Sequence, residues 1–302
     1  MTQPQQLMVS GVELWQWFTQ ARLAAVVADI PVSEVDWLLQ EVAGLDKLAL
    51  RLESFKYQLE IPLSMPFSKL ATLWQQRVDA RMPVQYLTGV APWRNFLLSV
   101  SPAVLIPRPE TECLIELAVA AVENSSKLEK AGCWADLGTG SGAIALGLAS
   151  SLPAARIHAV DYSAAALEIA SYNAQKLGFE DQIQFHQGSW WEPLNSLKGQ
   201  FSGMVSNPPY IPSTLIPQLQ PEVAWHEPHL ALNGGSDGLD YIRHLIEVSP
   251  LYLRPGGIWL IEMMAGQAPV VAELLHQQGS YCNIQIFSDL AGIERFALAY
   301  RV

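Results

Sequence analysis

Asp136-Leu137-Gly138-Thr139-Gly140-Ser141-Gly142-Ala143 decides how this chain is read. The apolar run Cys133 to Leu137 precedes it as a strand, and Ala143 to Leu152 follows as a helix. Glycines at such a junction permit a tight turn and let a ligand approach the backbone at a helix N-terminus. Outward from the loop, strands alternate with helix-period segments. Ile157 to Asp161 is the second strand, Ala164 to Leu177 a helix, Ile183 to His186 a third strand, Phe201 to Ser206 a fourth and Gly257 to Glu262 a fifth. That alternation is the signature of a parallel α/β sheet. The last two candidates, Asn283 to Phe287 and Arg295 to Tyr300, are separated by seven residues, too few for a helical crossover. The expected fold class is therefore α/β, a Rossmann-like sheet ending in an antiparallel pair.

Nineteen residues past Gly142, Asp161 closes the second strand, where a carboxylate can accept both hydroxyls of a ribose. The loop and Asp161 together point to a nucleoside-containing cofactor. On the G-x-G-x-x-A pattern alone a nicotinamide enzyme remains open. Three features favour S-adenosylmethionine. Asp136 places an anion where a pyrophosphate would be repelled and a methionine ammonium attracted. The sheet ends in an antiparallel pair. The third is Asn207-Pro208-Pro209-Tyr210 at the end of the fourth strand, since ligands of open α/β sheets gather outside the carboxyl ends of strands. Two successive prolines remove two N–H donors, so the Asn207 and Pro208 carbonyls point outward as acceptors; the Asn207 side chain adds another and Tyr210 a flat ring. This suits a planar neutral group with two N–H donors, either a side-chain amide or an exocyclic amine. Trp190, just past the third strand, is placed either to lie along an adenine ring or to serve as a core or rim aromatic.

The chain has 302 residues, half of them hydrophobic, enough for two domains. Leu14, Phe18, Ala21 and Ala25 recur at helical spacing, as do Val35, Leu38, Leu39 and Val42 after Ser33, a candidate N-cap, with Gly44 as a stop. A third stripe, Leu70, Leu73, Trp74 and Val78, follows Ser68. Residues 1–82 thus read as a small helical domain, 83–105 as a β-hairpin linker in which Val84, Tyr86 and Leu87 are strand-like, and 106–302 as the catalytic domain. At the linker's end stands Leu105-Ile106-Pro107-Arg108-Pro109-Glu110-Thr111-Glu112, whose Arg108 and Glu112 form either a surface ion pair or a lip of the site. The net charge of −11 argues against affinity built on phosphate neutralisation, and neither side of residue 90 is basic: 7 basic against 9 acidic residues before it, 11 against 20 after. The opening Met1 to Gln6 lacks the basic start of a secretion signal, so the cytoplasm is expected, and no membrane partner. Cys113, Cys133 and Cys282 suggest neither a disulfide framework nor a metal site. Gly234-Gly235-Ser236-Asp237-Gly238 has the spacing of a hydrolase elbow without its strand-turn-helix context. His226 and His229 flank Pro228, which breaks the helix that would align them as ligands.

Several of these stretches resemble one family. Gln85-Tyr86-Leu87-Thr88-Gly89, the Leu105 to Glu112 stretch, the glycine loop, Asp161, Asn207 to Tyr210, Glu227-Pro228 with Ala231-Leu232, and Gly234 to Leu239 are similar to the peptide chain release factor N5-glutamine methyltransferases, the PrmC/HemK family. The resemblance covers nearly the whole chain and implies a class I S-adenosylmethionine-dependent methyltransferase fold. It implies that Asp136, Gly138, Thr139, Gly140, Ser141, Gly142, Asp161, Trp190 and Asn207 hold the donor. The glutamine of a class 1 release factor would meet Asn207, Pro208, Pro209 and Tyr210, with the helical domain recognising the partner and the enzyme acting as a monomer. Asn207 to Tyr210 is shared with amino methyltransferases of nucleic acids, so adenine N6-methylation is the alternative, followed by a non-catalytic binding module. No basic recognition domain supports a stable nucleic-acid complex. Two positions depart from the family pattern: Ser189 replaces an acidic residue before the tryptophan, and Met263-Met264 follows Glu262 where a glycine is usual. The first removes the acidic partner that the resemblance implies for the adenine amino group; the second is expected to alter packing beneath the site.

Overall fold

The computed structural model describes residues 7–124 and 131–302. Met1 to Gln6, read above for their charge, lie outside the described residues. The chain divides into two compact units, Met1–Gly89 and Val90–Val302.

In the first unit β1 (Leu7–Val9) leads into α1 (Gly11–Val27), α2 (Ser33–Ala43), α3 (Lys47–Leu52), β2 (Ile61–Leu63), α4 (Phe67–Asp79) and α5 (Val84–Thr88). The stripe Leu14, Phe18, Ala21 and Ala25 is the buried face of α1, and Val35, Leu38, Leu39 and Val42 that of α2, as their spacing requires. Gly44 ends α2 in the left-handed region, where a side chain would be strained (φ 62°). Three local readings change. Ser33 is the first helical residue and caps nothing, because the turn begins earlier: the Glu34 amide already donates to the Pro31 carbonyl. α4 starts at Phe67, with Ser68 inside its first turn. Val84, Tyr86 and Leu87 belong to a helix, since Pro83 supplies a preset φ and its carbonyl accepts from Tyr86 and Leu87. β1 and β2 form an antiparallel ribbon that helical periodicity does not announce.

The second unit opens with the hairpin β3 (Val90–Trp93) and β4 (Phe96–Ser99), then a 3-10 turn Pro109–Glu112 running into α6 (Cys113–Glu123). There follow β5 (Cys133–Leu137), α7 (Ala143–Ser151), β6 (Arg156–Asp161), α8 (Ala164–Leu177), β7 (Ile183–Gln187), β8 (Phe201–Ser206), α9 (Pro221–His226), α10 (His229–Leu232), α11 (Asp240–Val248), β9 (Leu253–Glu262), α12 (Ala268–Gln278), β10 (Tyr281–Ser288) and β11 (Glu294–Arg301). The seven strands are ordered β10-β11-β9-β8-β5-β6-β7. β5 to β9 are parallel, and β11 inserts antiparallel between β9 and β10, giving the antiparallel end expected from the short connection. One face of the sheet packs on α6 and α7 with Trp93 and Trp134, the other on α11 and α12 with Trp191 and Trp259. From β5 the chain winds toward β7 on one side and, from β8, toward β9 on the other. The reversal between β5 and β8 is where an open sheet leaves a crevice at its carboxyl edge, and both motif stretches emerge there.

Candidate active site

The glycine loop leaves β5 and folds over the end of β6. The amides of Gly138 and Thr139 both donate to the Val160 carbonyl at 2.9 Å, that of Gly140 to Asp161 Oδ2 at 2.8 Å, and that of Gly142 to Thr139 O at 2.8 Å. Four loop amides are thus committed within the protein. Gly142 sits in the left-handed region (φ 84°), where a side chain is strained, and an added Cβ would lie a tight 3.2 Å from the Ala170 Cβ of α8. Asn173, fully buried on α8, holds the loop from behind: its Nδ2 donates to Ser141 O (2.9 Å) and Ser99 O (3.0 Å), and its Oδ1 accepts from the Ser99 amide (2.7 Å).

A cavity of ≈460 Å3 opens at this edge, a volume in the range of roughly 300–1,000 Å3 usual for small-molecule sites. Its wall includes Gly138, Thr139, Gly140 and Ser141 of the loop, Asp161, Ser189, Trp190, Asn207, Pro209, and Arg108 and Thr111 of the Pro-rich lip. Asp161 accepts the Gly140 and Ser163 amides on separate oxygens, which fixes the carboxylate while leaving lone pairs for ribose hydroxyls. Burial pushes its carboxyl upward. Trp190 sits at positive φ (50°) with its ring against Gly138 and 5.2 Å from that of Tyr241. Its neighbour Trp191 takes the core position, stacked on Tyr252 at 4.5 Å. Trp190 thus lines the cavity, a place that suits an adenine-facing ring and a rim aromatic alike.

Asp136, Gly142, Pro208 and Tyr210 are not on the wall. The expected direct counter-charge to a ligand ammonium at Asp136 is replaced by a role beneath the loop. Its Oδ2 accepts from the Thr139 hydroxyl (2.6 Å) and the Ala145 amide (2.9 Å), tying strand end, loop and helix start together. Its Oδ1 is buried without a partner, and burial raises the carboxyl to about 7. Tyr210 is anchored below the cavity by its hydroxyl, which donates to Glu262 Oε1 at 2.9 Å, and by its carbonyl, which accepts from Gln267 Nε2 at 3.1 Å. Asn207 Nδ2 donates to Thr111 Oγ1 (3.2 Å), and the Thr111 hydroxyl donates to Glu262 Oε2 (2.7 Å). Among the described residues no hydrogen bond reaches Asn207 Oδ1 or the Asn207 and Pro208 carbonyls, so the acceptors expected from the double proline are present and unused. Glu262 is 2% exposed, and its carboxyl is raised by burial against the lowering effect of the two hydroxyl donors.

Arg108 does not pair with Glu112. Its guanidinium meets the buried carboxylate of Glu227, 2.7 Å away and 119 residues on, and its carbonyl accepts from Trp93 Nε1. Glu112 accepts the Arg94 amide instead. The lip is thus stitched to the loop after β8, which sequence separation hides. Met263 is fully buried in the core, and the Met264 amide donates to Gln267 Oε1, so this departure lies in the support of the site. Ser236 is exposed in a loop with no strand before it, unlike a hydrolase nucleophile.

Three residues of this wall suit a ligand with a ribose and a flat ring. Asp161 supplies ribose acceptors, Trp190 a ring face and Asn207 an unused acceptor, so the residues fit S-adenosylmethionine. The comparisons with known proteins agree. Residues 117–218 match the family described as Methyltransferase small domain. The chain is 54% identical to the release factor glutamine methyltransferase of a Synechocystis strain, over 96% of this chain and 97% of that one. It is 46% identical to the same enzyme of Thermosynechococcus vestitus, over 96% and 99%. Among solved structures, the catalytic domain of hMettl16 in complex with a MAT2A 3′UTR hairpin shares the fold at a TM-score of 0.54 and 17% identity, over 77% of this chain and 80% of that one. Identity of this degree along almost the full length of both chains places the protein in the release factor glutamine methyltransferase family.

Proposed function

We propose that this enzyme transfers the methyl group of S-adenosylmethionine to the side-chain amide nitrogen of a glutamine in a class 1 peptide chain release factor. The observation that carries the reading is the Asn207 side chain on the cavity wall, with its N–H engaged by Thr111 and its oxygen unengaged. An amide nitrogen is a poor nucleophile because its lone pair is delocalised, and a general base helps little. Alignment must do the work. Asn207 Oδ1 and the Pro208 carbonyl are the acceptors that would take the two N–H groups of the incoming amide and set its nitrogen facing the donor. Tyr210, held through Glu262, would steady the amide plane from below. Asp161 and Trp190 would hold the ribose and adenine, and the Pro-rich lip with Arg108 would shield the site from water. The donor, when bound, supplies a methyl group already activated on a sulfonium.

The helical unit is assigned to gripping the release factor. Supporting this, Leu23, Val26 and Val27 at the end of α1 are exposed apolar side chains. Among the described residues no helix is long and apolar enough to cross a membrane. The reading takes the enzyme as a cytoplasmic monomer that makes no stable nucleic-acid complex.

The test is incubation with a methyl-labelled donor and three acceptors: a purified release factor, its Gln→Ala variant and adenine-bearing DNA. Label is expected on the intact factor alone. Label on DNA, or undiminished label on the variant factor, overturns the substrate. Asn207→Ala is expected to keep donor binding and lose transfer; substantial residual methylation would overturn the role given to Asn207.

A further inference from the structure

We propose that Thr111 and Glu262 are positioning residues that fix the orientation of the Asn207 side-chain amide, so that the cavity meets its oxygen and never its nitrogen. The inference rests on the functional reading above and says what selects an amide over a carboxylate. Glu262 ends β9 with both oxygens occupied, Oε1 by the Tyr210 hydroxyl (2.9 Å) and Oε2 by the Thr111 hydroxyl (2.7 Å). Both hydroxyls are the donors in these bonds, so each spends its one proton on Glu262. Thr111 then has no proton left to offer Asn207, and its oxygen can only accept. An Asn amide turned the other way would set its oxygen against a lone pair of Thr111 Oγ1. The orientation with Nδ2 on Thr111 at 3.2 Å is therefore the one the network permits, and it leaves Oδ1 for the substrate. A glutamine side chain offers N–H donors to that oxygen. A glutamate carboxylate offers lone pairs and is repelled. Glu262 thus acts at a distance, through the Thr111 hydroxyl, on a specificity that Asn207 expresses.

Three of the network's four members stand far apart in sequence: Thr111 and Glu262 are separated by 151 residues, Asn207 and Thr111 by 96. Thr111 is 4% exposed, so replacement by the isosteric valine tests the hydroxyl with little change in packing.

The experiment compares wild type, Thr111→Val and Thr111→Ser by steady-state methylation of a release factor, donor titration, thermal unfolding, and the 15N side-chain amide signal of Asn207. Thr111→Val is expected to lower kcat at least tenfold, with the donor Kd within twofold of wild type and a folded protein. The Asn207 side-chain protons should lose their protection from exchange. Thr111→Ser, which restores the hydroxyl, is expected to recover kcat to within about threefold of wild type and to restore the protection. Equal impairment by valine and serine, or a valine variant within twofold of wild type in kcat, overturns the relay. If wild type labels no release factor, the function proposed above fails, and the relay stands or falls on the Asn207 amide signal, which needs no substrate.

Discussion

Asp136→Asn is expected to remove a pH dependence of stability that belongs to one side chain. Burial raises the Asp136 carboxyl from 3.8 to about 7 in the folded chain, against the opposing donors Thr139 and Ala145. Between those two values the folded state carries a proton that the unfolded state has lost. This group's contribution to folding is therefore complete below pH 3.8, shrinks as pH rises and is gone above about 7. At about 1.36 kcal/mol per pH unit the interval amounts to roughly 4 kcal/mol. His158 works in the opposite sense. Burial first, then the neighbouring His186 and Arg156, lowers its pKa from 6.5 to about 4, so the folded state refuses a proton that the unfolded state takes up, and stability rises with pH across that window. The two slopes offset each other, and the wild-type curve by itself decides nothing. The difference curve does. Asparagine has the same shape, stays neutral, and its oxygen can accept from Thr139 and Ala145 while its amide occupies the position of the unpartnered Oδ1. Measured by urea unfolding of wild type and variant at pH 5, 6, 7 and 8, the variant should gain about 2 kcal/mol on wild type between pH 5 and 7 and less than ~0.5 kcal/mol more to pH 8. A difference that stays constant with pH would refute the assignment of a buried, proton-binding carboxyl at this position.

Two further outcomes follow from the packing. Asn173→Ala removes three hydrogen bonds made by a fully buried side chain and leaves Ser99 and Ser141 backbone groups unpaired; a loss of about 2–4 kcal/mol in the urea transition is expected, with weaker donor binding in a titration because the glycine loop loses its rear support. Glu34→Ala in the helical unit takes the bidentate carboxylate from Arg77, whose guanidinium meets it at 2.5 and 3.0 Å and whose side chain is 3% exposed; destabilisation by about 3 kcal/mol is expected in the same assay, with donor affinity unchanged.

The elements that repeat a local rule were legible in the chain. Strand and helix alternation after residue 130 reads out a parallel sheet, seven residues before Arg295 cannot hold a crossover, and glycines between Leu137 and Ala143 can only be a turn at a strand end. The double proline after Asn207 likewise removes donors wherever it stands, so its unused acceptors are a property of covalent structure. What failed locally failed by competition. Pro83 initiates a helix through residues whose β propensity suggested a strand, and Val32 extends α2 past the serine that would have capped it. Side-chain partnerships were decided by the tertiary structure alone. Asp136 has an anion's charge in the sequence, but the fold buries it under the loop, where its oxygen binds Thr139 and Ala145. Arg108 has an acid four residues away and pairs with another 119 residues away. Glu262 reads as the last residue of a strand; only when β9 is laid beside β8 does its carboxylate come under Tyr210 and Thr111. The reason is physical: backbone pattern follows from neighbours along the chain, whereas a buried polar group takes whichever partner the packed core brings to it, and sequence spacing carries no record of that meeting.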